Sequence, residues 1–329
     1  MLVTFMRVLL TDSIDASGER VLRAQGAEIC SASDGAADTV RRLARDSDAI
    51  IIRSKLPDDI FESAPRVRAV VIHGTGTDLV PLESATKHGV AVANLPGGNA
   101  QSVAEYCAMA MLVLARNLVS IASTLKNRAW DEARALGDRQ REIAGLTVGI
   151  VGVGEIGRRL AAICRLGFGM RVLGNQRRLN AIGEHASAAS LDELLRESDF
   201  VVLTCPLTPQ TRHLMNRENI SRMKPGAWLI NVGRGAVVEE AALIEALGEK
   251  RIAGAMLDVY EHYRLEPGHP LLSLDNAVLT PHLAGMTRES RGRVSVLAAE
   301  DALRMLAGER PRHFVNPEVW SKFRERGQA

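Results

Sequence analysis

Cysteine is scarce in this chain of 329 residues: Cys30, Cys107, Cys164 and Cys205 stand far apart, with no C-x-x-C pair among them. That spacing argues against a disulfide framework and against a thiolate metal site, and it suits a reducing cytosol. Blocks of like charge are missing too. The 41 basic and 39 acidic residues are interspersed and leave a net charge of +2, which makes no case for a nucleic-acid or anionic-membrane partner. The longest uninterrupted apolar run, Tyr106 to Ala115, falls well short of the ~20 residues of a membrane helix. The opening residues, through Arg7, lack the basic start, apolar stretch and cleavage site of a secretory signal. A cytoplasmic protein is expected, and Met6, just ahead of the first predicted strand, is an alternative start.

What the chain does have is a regular alternation. Hydrophobic residues make up 46% of it and charged residues 24%, enough apolar material for two cores at ~100–200 residues per domain. Short apolar runs of strand length recur at Arg7–Thr11, Ala49–Arg53, Ala69–His73, Val90–Asn94, Thr147–Val151, Arg171–Gly174, Phe200–Thr204, Trp228–Val232, Gly254–Asp258 and Ala277–Thr280. Several are apolar at every position, as in a parallel strand buried on both faces. Helical spacing occupies the intervals, as at Gly18–Gln25, Thr39–Ser47, Gly157–Leu166, Ser190–Glu197 and Glu239–Gly248. This predicts an α/β fold of doubly wound parallel sheets covered by helices. Two longer helices, Ser102–Arg128 and Thr287–Leu306, are expected to cross between domains. The first domain is then discontinuous (1–101 with 287–329) and the second is a continuous insert (102–286).

Leu146 to Val151 reads as a buried strand. It runs into Gly152-Val153-Gly154-Glu155-Ile156-Gly157 and then into helical spacing. A G-x-G-x-x-G that closes a strand and opens a helix is the context that gives this motif meaning. The first glycine permits the tight turn, the second lets the backbone approach a pyrophosphate, and the third lets helix and strand pack closely. The helix start then offers N–H groups and a partial positive charge to phosphate.

Four further segments follow in order: Cys205-Pro206-Leu207-Thr208-Pro209-Gln210-Thr211, Asn231-Val232-Gly233-Arg234-Gly235, Leu257-Asp258-Val259-Tyr260, and Leu279-Thr280-Pro281-His282-Leu283-Ala284-Gly285. With the glycine turn, they closely resemble the D-isomer-specific 2-hydroxyacid dehydrogenases over nearly the whole chain. The stretches from His73 to Asp78, Asn94 to Gly97 and Ser102 to Glu105 look like that family's substrate-side loops. The resemblance implies two Rossmann-like domains with an interdomain cleft: a substrate domain (1–101 with 287–329) and a dinucleotide-binding domain (102–286). It implies a catalytic histidine at His282 and an arginine for the substrate carboxylate at Arg234. Thr75 and Gly76 would offer N–H groups to that carboxylate. Cofactor contacts are expected at Gly152, Gly154, Glu155, Ile156, Gly157, Cys205, Pro206, Thr211, Val232, Gly233, Asp258 and Gly285.

The chemistry of reducing a 2-keto acid agrees. A cation must grip the carboxylate, and arginine does so bidentately. An acid titrating near neutrality must protonate the forming alkoxide, which suits histidine. A nicotinamide must be positioned against the carbonyl carbon. Arg234 and His282 each follow a predicted strand, where open α/β sheets bind ligands. Arg53 ends a strand at the same edge, and with Lys55 it is read either as a substrate contact or as an exposed loop. His73 is read as packing its loop.

The resemblance also implies a glutamate that pairs with the histidine, and here the chain departs from the pattern. Without gaps through His269-Pro270, Tyr263 falls at the glutamate position; aligned on Glu-Pro, Glu266 does. Glu266 is preferred because a carboxylate best stabilises an imidazolium. A second departure concerns the cofactor. The acidic residue expected after the second strand of an NAD site is absent, Gln176 stands in its place, and Arg177 and Arg178 follow. Guanidinium groups bind a 2′-phosphate that a carboxylate would repel, so NADP(H) is favoured over NAD(H). The leading expectation is an oxidoreductase for a small 2-keto or 2-hydroxy acid of the hydroxypyruvate, glyoxylate or 3-phosphoglycerate type, working as a homodimer. The competing one is a dinucleotide-sensing, corepressor-like binding protein that needs no turnover.

Overall fold

The computed structural model describes residues 6–127, 129–178, 180 and 182–326. The chain forms two compact units, one of residues 1–99 with 286–329 and the other of residues 100–285. The first unit begins β1 (Arg7–Leu10), α1 (Ala16–Ala24), β2 (Glu28–Ser31), α2 (Ala37–Ala44), β3 (Ala49–Ile52), α3 (Ile60–Ser63), β4 (Ala69–Ile72), α4 (Leu82–Lys87) and β5 (Ala91–Ala93). The second unit follows with three helices: α5 (Ala100–Ala115), α6 (Leu118–Lys126) and α7 (Trp130–Ala135). Next come β6 (Thr147–Val151), α8 (Glu155–Ala162), β7 (Arg171–Asn175), β8 (Ser187–Ala188), α9 (Leu191–Glu197), β9 (Phe200–Leu203) and α10 (Arg217–Ser221). It ends with β10 (Trp228–Asn231), α11 (Glu240–Gly248), β11 (Gly254–Leu257) and β12 (Ala277–Leu279). Helices α12 (Arg288–Leu306) and α13 (Trp320–Arg326) complete the first unit.

Both sheets are parallel throughout, so the expected α/β class holds in each unit. Their orders are β2-β1-β3-β4-β5 and β12-β11-β10-β9-β6-β7-β8. Each reverses direction once, between β1 and β3 in the first sheet and between β6 and β9 in the second. Such switch points open a crevice at the carboxyl ends of the strands. The apolar strands are apolar because both faces are covered. In the first unit, Leu10, Ile51 and Val71 pack with Ala298, Ala302 and Met305 of α12, while Leu9, Ile50 and Val70 face Val40 and Ala44 of α2. In the second, Ile150, Val202 and Ile230 pack with Ala104, Cys107 and Met111 of α5, and Val201, Leu203 and Leu229 with Leu243 and Leu247 of α11. In the first unit, Gly18 allows α1 to lie against α12, since a Cβ there would stand 2.5 Å from the Ser295 carbonyl oxygen.

Three expectations need correction. The long helix from Ser102 is two helices, α5 and α6, bent by 61°, with Asn117 at φ 48° in the break; its expected end at Arg128 lies outside the described residues. Neither long helix spans the change of unit, because the boundaries fall ahead of α5 and ahead of α12. Two strands escaped the sequence reading, β2 and β8. Both are edge strands without a buried residue, so they carry no continuous apolar run to find. No single helix among the described residues is long and apolar enough to cross a membrane.

Candidate active site

Nearly every residue singled out from the sequence of the second unit lies at the carboxyl end of its sheet. Gly152 leaves β6 at φ 96°, and a Cβ there would stand 2.6 Å from the Cys205 backbone. Glycine is therefore required twice, by the torsion and by the close approach. The Thr204 hydroxyl donates to the Gly152 carbonyl at 2.6 Å, which ties the glycine turn to the Cys205-Pro206 loop across the switch point. Gly157 packs against the same carbonyl, 2.6 Å from where its Cβ would be. Gly154, by contrast, has nothing within 4 Å of a built Cβ, and it starts α8 with no side chain capping the helix. Glu155 and Ile156 are the first two helical residues. Open space before an uncapped helix start fits a pyrophosphate, with the N–H groups of this turn as its donors.

The loop after β9 shapes itself. The Thr211 hydroxyl donates to the Pro206 carbonyl at 2.7 Å and accepts from the Thr208 N–H at 2.7 Å. After β10, the buried Asn231 side chain accepts from the Gly233 N–H at 3.1 Å and donates to the Arg234 carbonyl at 3.0 Å. The Val232-Gly233-Arg234 turn is thereby clamped, and the half-buried Arg234 guanidinium donates to the Gly233 carbonyl at 2.8 Å. Gly235 admits no substitute, since a Cβ there would fall 1.7 Å from the Tyr260 carbonyl oxygen.

His282 follows β12, exposed, with φ 53°. A left-handed histidine persists only where its surroundings over-determine it, and here the surroundings are Asp258. Expected as a cofactor contact, Asp258 is 1% exposed and both of its carboxylate oxygens accept from the histidine loop. Oδ1 takes the Thr280 hydroxyl at 2.7 Å and the Leu283 N–H at 2.8 Å, and Oδ2 takes the Ala284 N–H at 2.9 Å. Its backbone carbonyl accepts the His282 N–H at 2.9 Å.

The two candidates for the histidine's partner lie on the loop after Tyr260. The Tyr263 ring stands edge-on to the His282 ring, with centroids 6.4 Å apart. Glu266 is exposed, and its carbonyl accepts the His269 N–H at 3.0 Å. It is Tyr263, then, that this loop brings to the histidine. Two histidine–glutamate pairs that sequence reasoning missed hold the loop. Glu261 meets His213 at 2.7 Å near one end, and Glu240 meets His269 at 3.1 Å near the other. The carboxyl of Glu261 is held below its ordinary range by hydrogen bonds from His213 and the Glu240 backbone, against the opposing and largest effect of burial. No signal in the sequence pairs these residues, because the contacts span 29 to 48 positions.

At the end of β7, Gln176 is half-buried and donates to the Arg178 carbonyl at 2.9 Å, while Arg177 and Arg178 are exposed. Gly285 ends the second unit, half-buried. In the first unit, Thr75 and Gly76 lie on the loop after β4, where the Asn94 side chain donates to the Thr75 carbonyl at 2.6 Å. Arg53 leaves β3 with its guanidinium engaged, donating to the Ser13 carbonyl at 2.7 Å and standing 3.6 Å from the Asp12 carboxylate. His73 Nε2 meets the Ser295 hydroxyl at 2.8 Å. Burial first, and then the charge of Arg53, lower its pKa to about 4, so it is neutral and holds its loop in place.

Residues 108–284 match the profile of the D-isomer specific 2-hydroxyacid dehydrogenase, NAD binding domain. The chain belongs to this family. Within it, the chain is 38% identical over 294 residues to a glyoxylate reductase of Aeropyrum pernix, covering 86% of this chain and 87% of that one. It is 34% identical over 319 residues to a D-3-phosphoglycerate dehydrogenase of Methanocaldococcus jannaschii, covering 94% of this chain but 59% of the relative's length. Among solved structures, the NADPH-dependent glyoxylate/hydroxypyruvate reductase of Sinorhizobium meliloti, in complex with NADP and malonate, aligns with a TM-score of 0.82. It shares 28% identity, over 95% of this chain and 97% of that one. The protein is a 2-hydroxyacid dehydrogenase, an oxidoreductase that uses a nicotinamide cofactor, and the profile covers the strands that carry the glycine turn, Arg234 and His282.

Proposed function

We propose that this dehydrogenase reduces small 2-keto acids of the glyoxylate and hydroxypyruvate type to D-2-hydroxy acids, with NADPH preferred. The observation that carries the reading is the pair of locked loops: Arg234 clamped by Asn231 after β10, and His282 clamped by Asp258 after β12. The glyoxylate reductase of Aeropyrum pernix, at 38% identity, supports the substrate class. In this reading, Arg234 grips the substrate carboxylate bidentately and polarises the neighbouring carbonyl. His282, protonated, gives its proton to the forming alkoxide oxygen. A bound nicotinamide supplies the hydride. The Gly152–Gly157 turn receives the pyrophosphate, and the exposed guanidinium groups of Arg177 and Arg178 bind the 2′-phosphate where NAD sites carry an acid. The working form is a homodimer in the cytoplasm. Its partner surface is the apolar, largely exposed α6, none of whose residues is buried.

The test is initial rates over a panel of 2-keto acids with each reduced cofactor. NADPH is expected to give the higher kcat/KM on glyoxylate or hydroxypyruvate, and replacing Arg177 and Arg178 by alanine should erase most of that preference. His282→Ala should lower kcat by ~10²–10⁴-fold, the usual worth of general acid–base help. A tenfold preference for NADH would remove the arginines from the cofactor site. Wild-type rates in His282→Ala would remove the histidine from proton transfer.

A further inference from the structure

We propose that Tyr106 is a positioning residue for His282 and acts through a chain of hydrogen bonds that runs Tyr106 to Thr280 to Asp258. The inference rests on the reading of His282 as the proton donor. Tyr106 lies on α5, 7% exposed, and its hydroxyl makes a short hydrogen bond with Thr280 Oγ1. The direction of the chain follows from counting protons. A threonine hydroxyl has one, and Thr280 gives it to Asp258 Oδ1 at 2.7 Å. Thr280 Oγ1 therefore accepts, and Tyr106 donates.

Asp258 then accepts on both sides of the histidine, from Thr280 before it and from the Leu283 and Ala284 N–H groups after it. One carboxylate grips both flanks of His282 and imposes its φ of 53°. The orientation of that carboxylate depends on the Thr280 hydroxyl, and the Thr280 rotor is in turn set by the donor on α5. Tyr260 holds the same residue differently, donating at 2.8 Å to the Thr280 backbone carbonyl, whereas Tyr106 meets the Thr280 side chain. Without the phenol, Thr280 Oγ1 loses a buried donor and the carboxylate loses its stop. The imidazole then samples positions from which proton transfer is slow, since small misplacements of a reacting group carry large rate penalties.

The experiment compares Tyr106→Phe and Thr280→Val, alone and together, with the wild type. Two quantities are read: amide hydrogen exchange at Leu283 and Ala284 in the substrate-free protein, and kcat and KM for the keto acid. Both single variants should speed exchange at those two amides by about tenfold, leave exchange in β10 and β11 unchanged, and lower kcat by about tenfold with KM within twofold. The double variant should be no worse than the worse single one, because both break one chain. Thr280→Ser, which keeps the hydroxyl, should hold exchange near the wild-type rate. Thr280→Val leaves α5 untouched, so it decides the matter if Tyr106→Phe folds poorly. Unchanged exchange in Thr280→Val overturns the proposal, and so does faster exchange with unchanged kcat while His282→Ala is inactive. If His282→Ala itself keeps full activity, the proton-donor reading fails instead, and exchange at Leu283 and Ala284 still reports whether the chain exists.

Discussion

His73 shows how the fold sets the charge of a single side chain. Its ring is bonded to the Ser295 hydroxyl, which already accepts the Asp15 N–H at 2.9 Å. Burial, helped by the nearby Arg53 charge, drops its pKa from 6.5 to about 4. The unfolded chain therefore binds a proton between those values that the folded chain refuses. Stability is whole above pH 6.5 and is lost as pH falls towards 4, by roughly 3 kcal/mol for a shift of this size. Urea unfolding at pH 7 and at pH 4.5 should show this loss in the wild type and much less of it in His73→Gln. Equal pH dependence in the two proteins would return the histidine to an ordinary titration.

At the scale of elements, the break between α5 and α6 is decided by Asn117. The stretch from Ser102 carries helical apolar spacing without a proline or glycine before position 128, and so it reads as one helix. Asn117 instead adopts φ 48°, a conformation that asparagine tolerates better than most residues. Asn117→Ala is expected to lower stability by ~1–2 kcal/mol, the usual left-handed penalty, and Asn117→Gly to leave it near the wild type; thermal melting measures both. An alanine variant as stable as the wild type would mean that packing, not the asparagine, sets the bend. The glycine turn shows the opposite case, an element legible in advance. Gly152, Gly154 and Gly157 announce their roles by spacing alone because a nucleotide turn makes the same three steric demands wherever it occurs.

At the scale of the whole molecule, six of the eleven large apolar side chains that stand exposed among the described residues fall between Met109 and Trp130, on α5, α6 and α7. Met109, Leu112, Leu118, Val119, Leu125 and Trp130 are each at least 39% exposed, and apolar exposure concentrated on neighbouring helices suits an interaction face. If a second copy of the chain covers it, Leu118→Asp with Val119→Asp should convert a dimer to a monomer in sedimentation equilibrium, with the far-ultraviolet circular dichroism unchanged. A monomeric wild type would leave this face without its proposed occupant.

Residue order alone determined the α/β class, ten apolar strands of which all but the edge strand β12 contain buried residues, the glycine turn and the positions of Arg234 and His282 after their strands. These are local: a doubly covered strand must be apolar at every position, and a turn against phosphate must be glycine. The edge strands β2 and β8, exposed as they are, left no such trace. Tertiary structure alone decided what holds the site. The chain could be aligned to place either Tyr263 or Glu266 beside the histidine, and only the path of the loop pinned by Glu261 and His269 brings Tyr263 there. Asp258 was expected to contact the cofactor, and the fold adds a second task by bringing Thr280, Leu283 and Ala284 around its carboxylate. Tyr106 meets Thr280 across 174 positions. Such contacts carry no periodicity, because the hydrogen bond depends on where two elements come to rest in space and not on how far apart they lie along the chain.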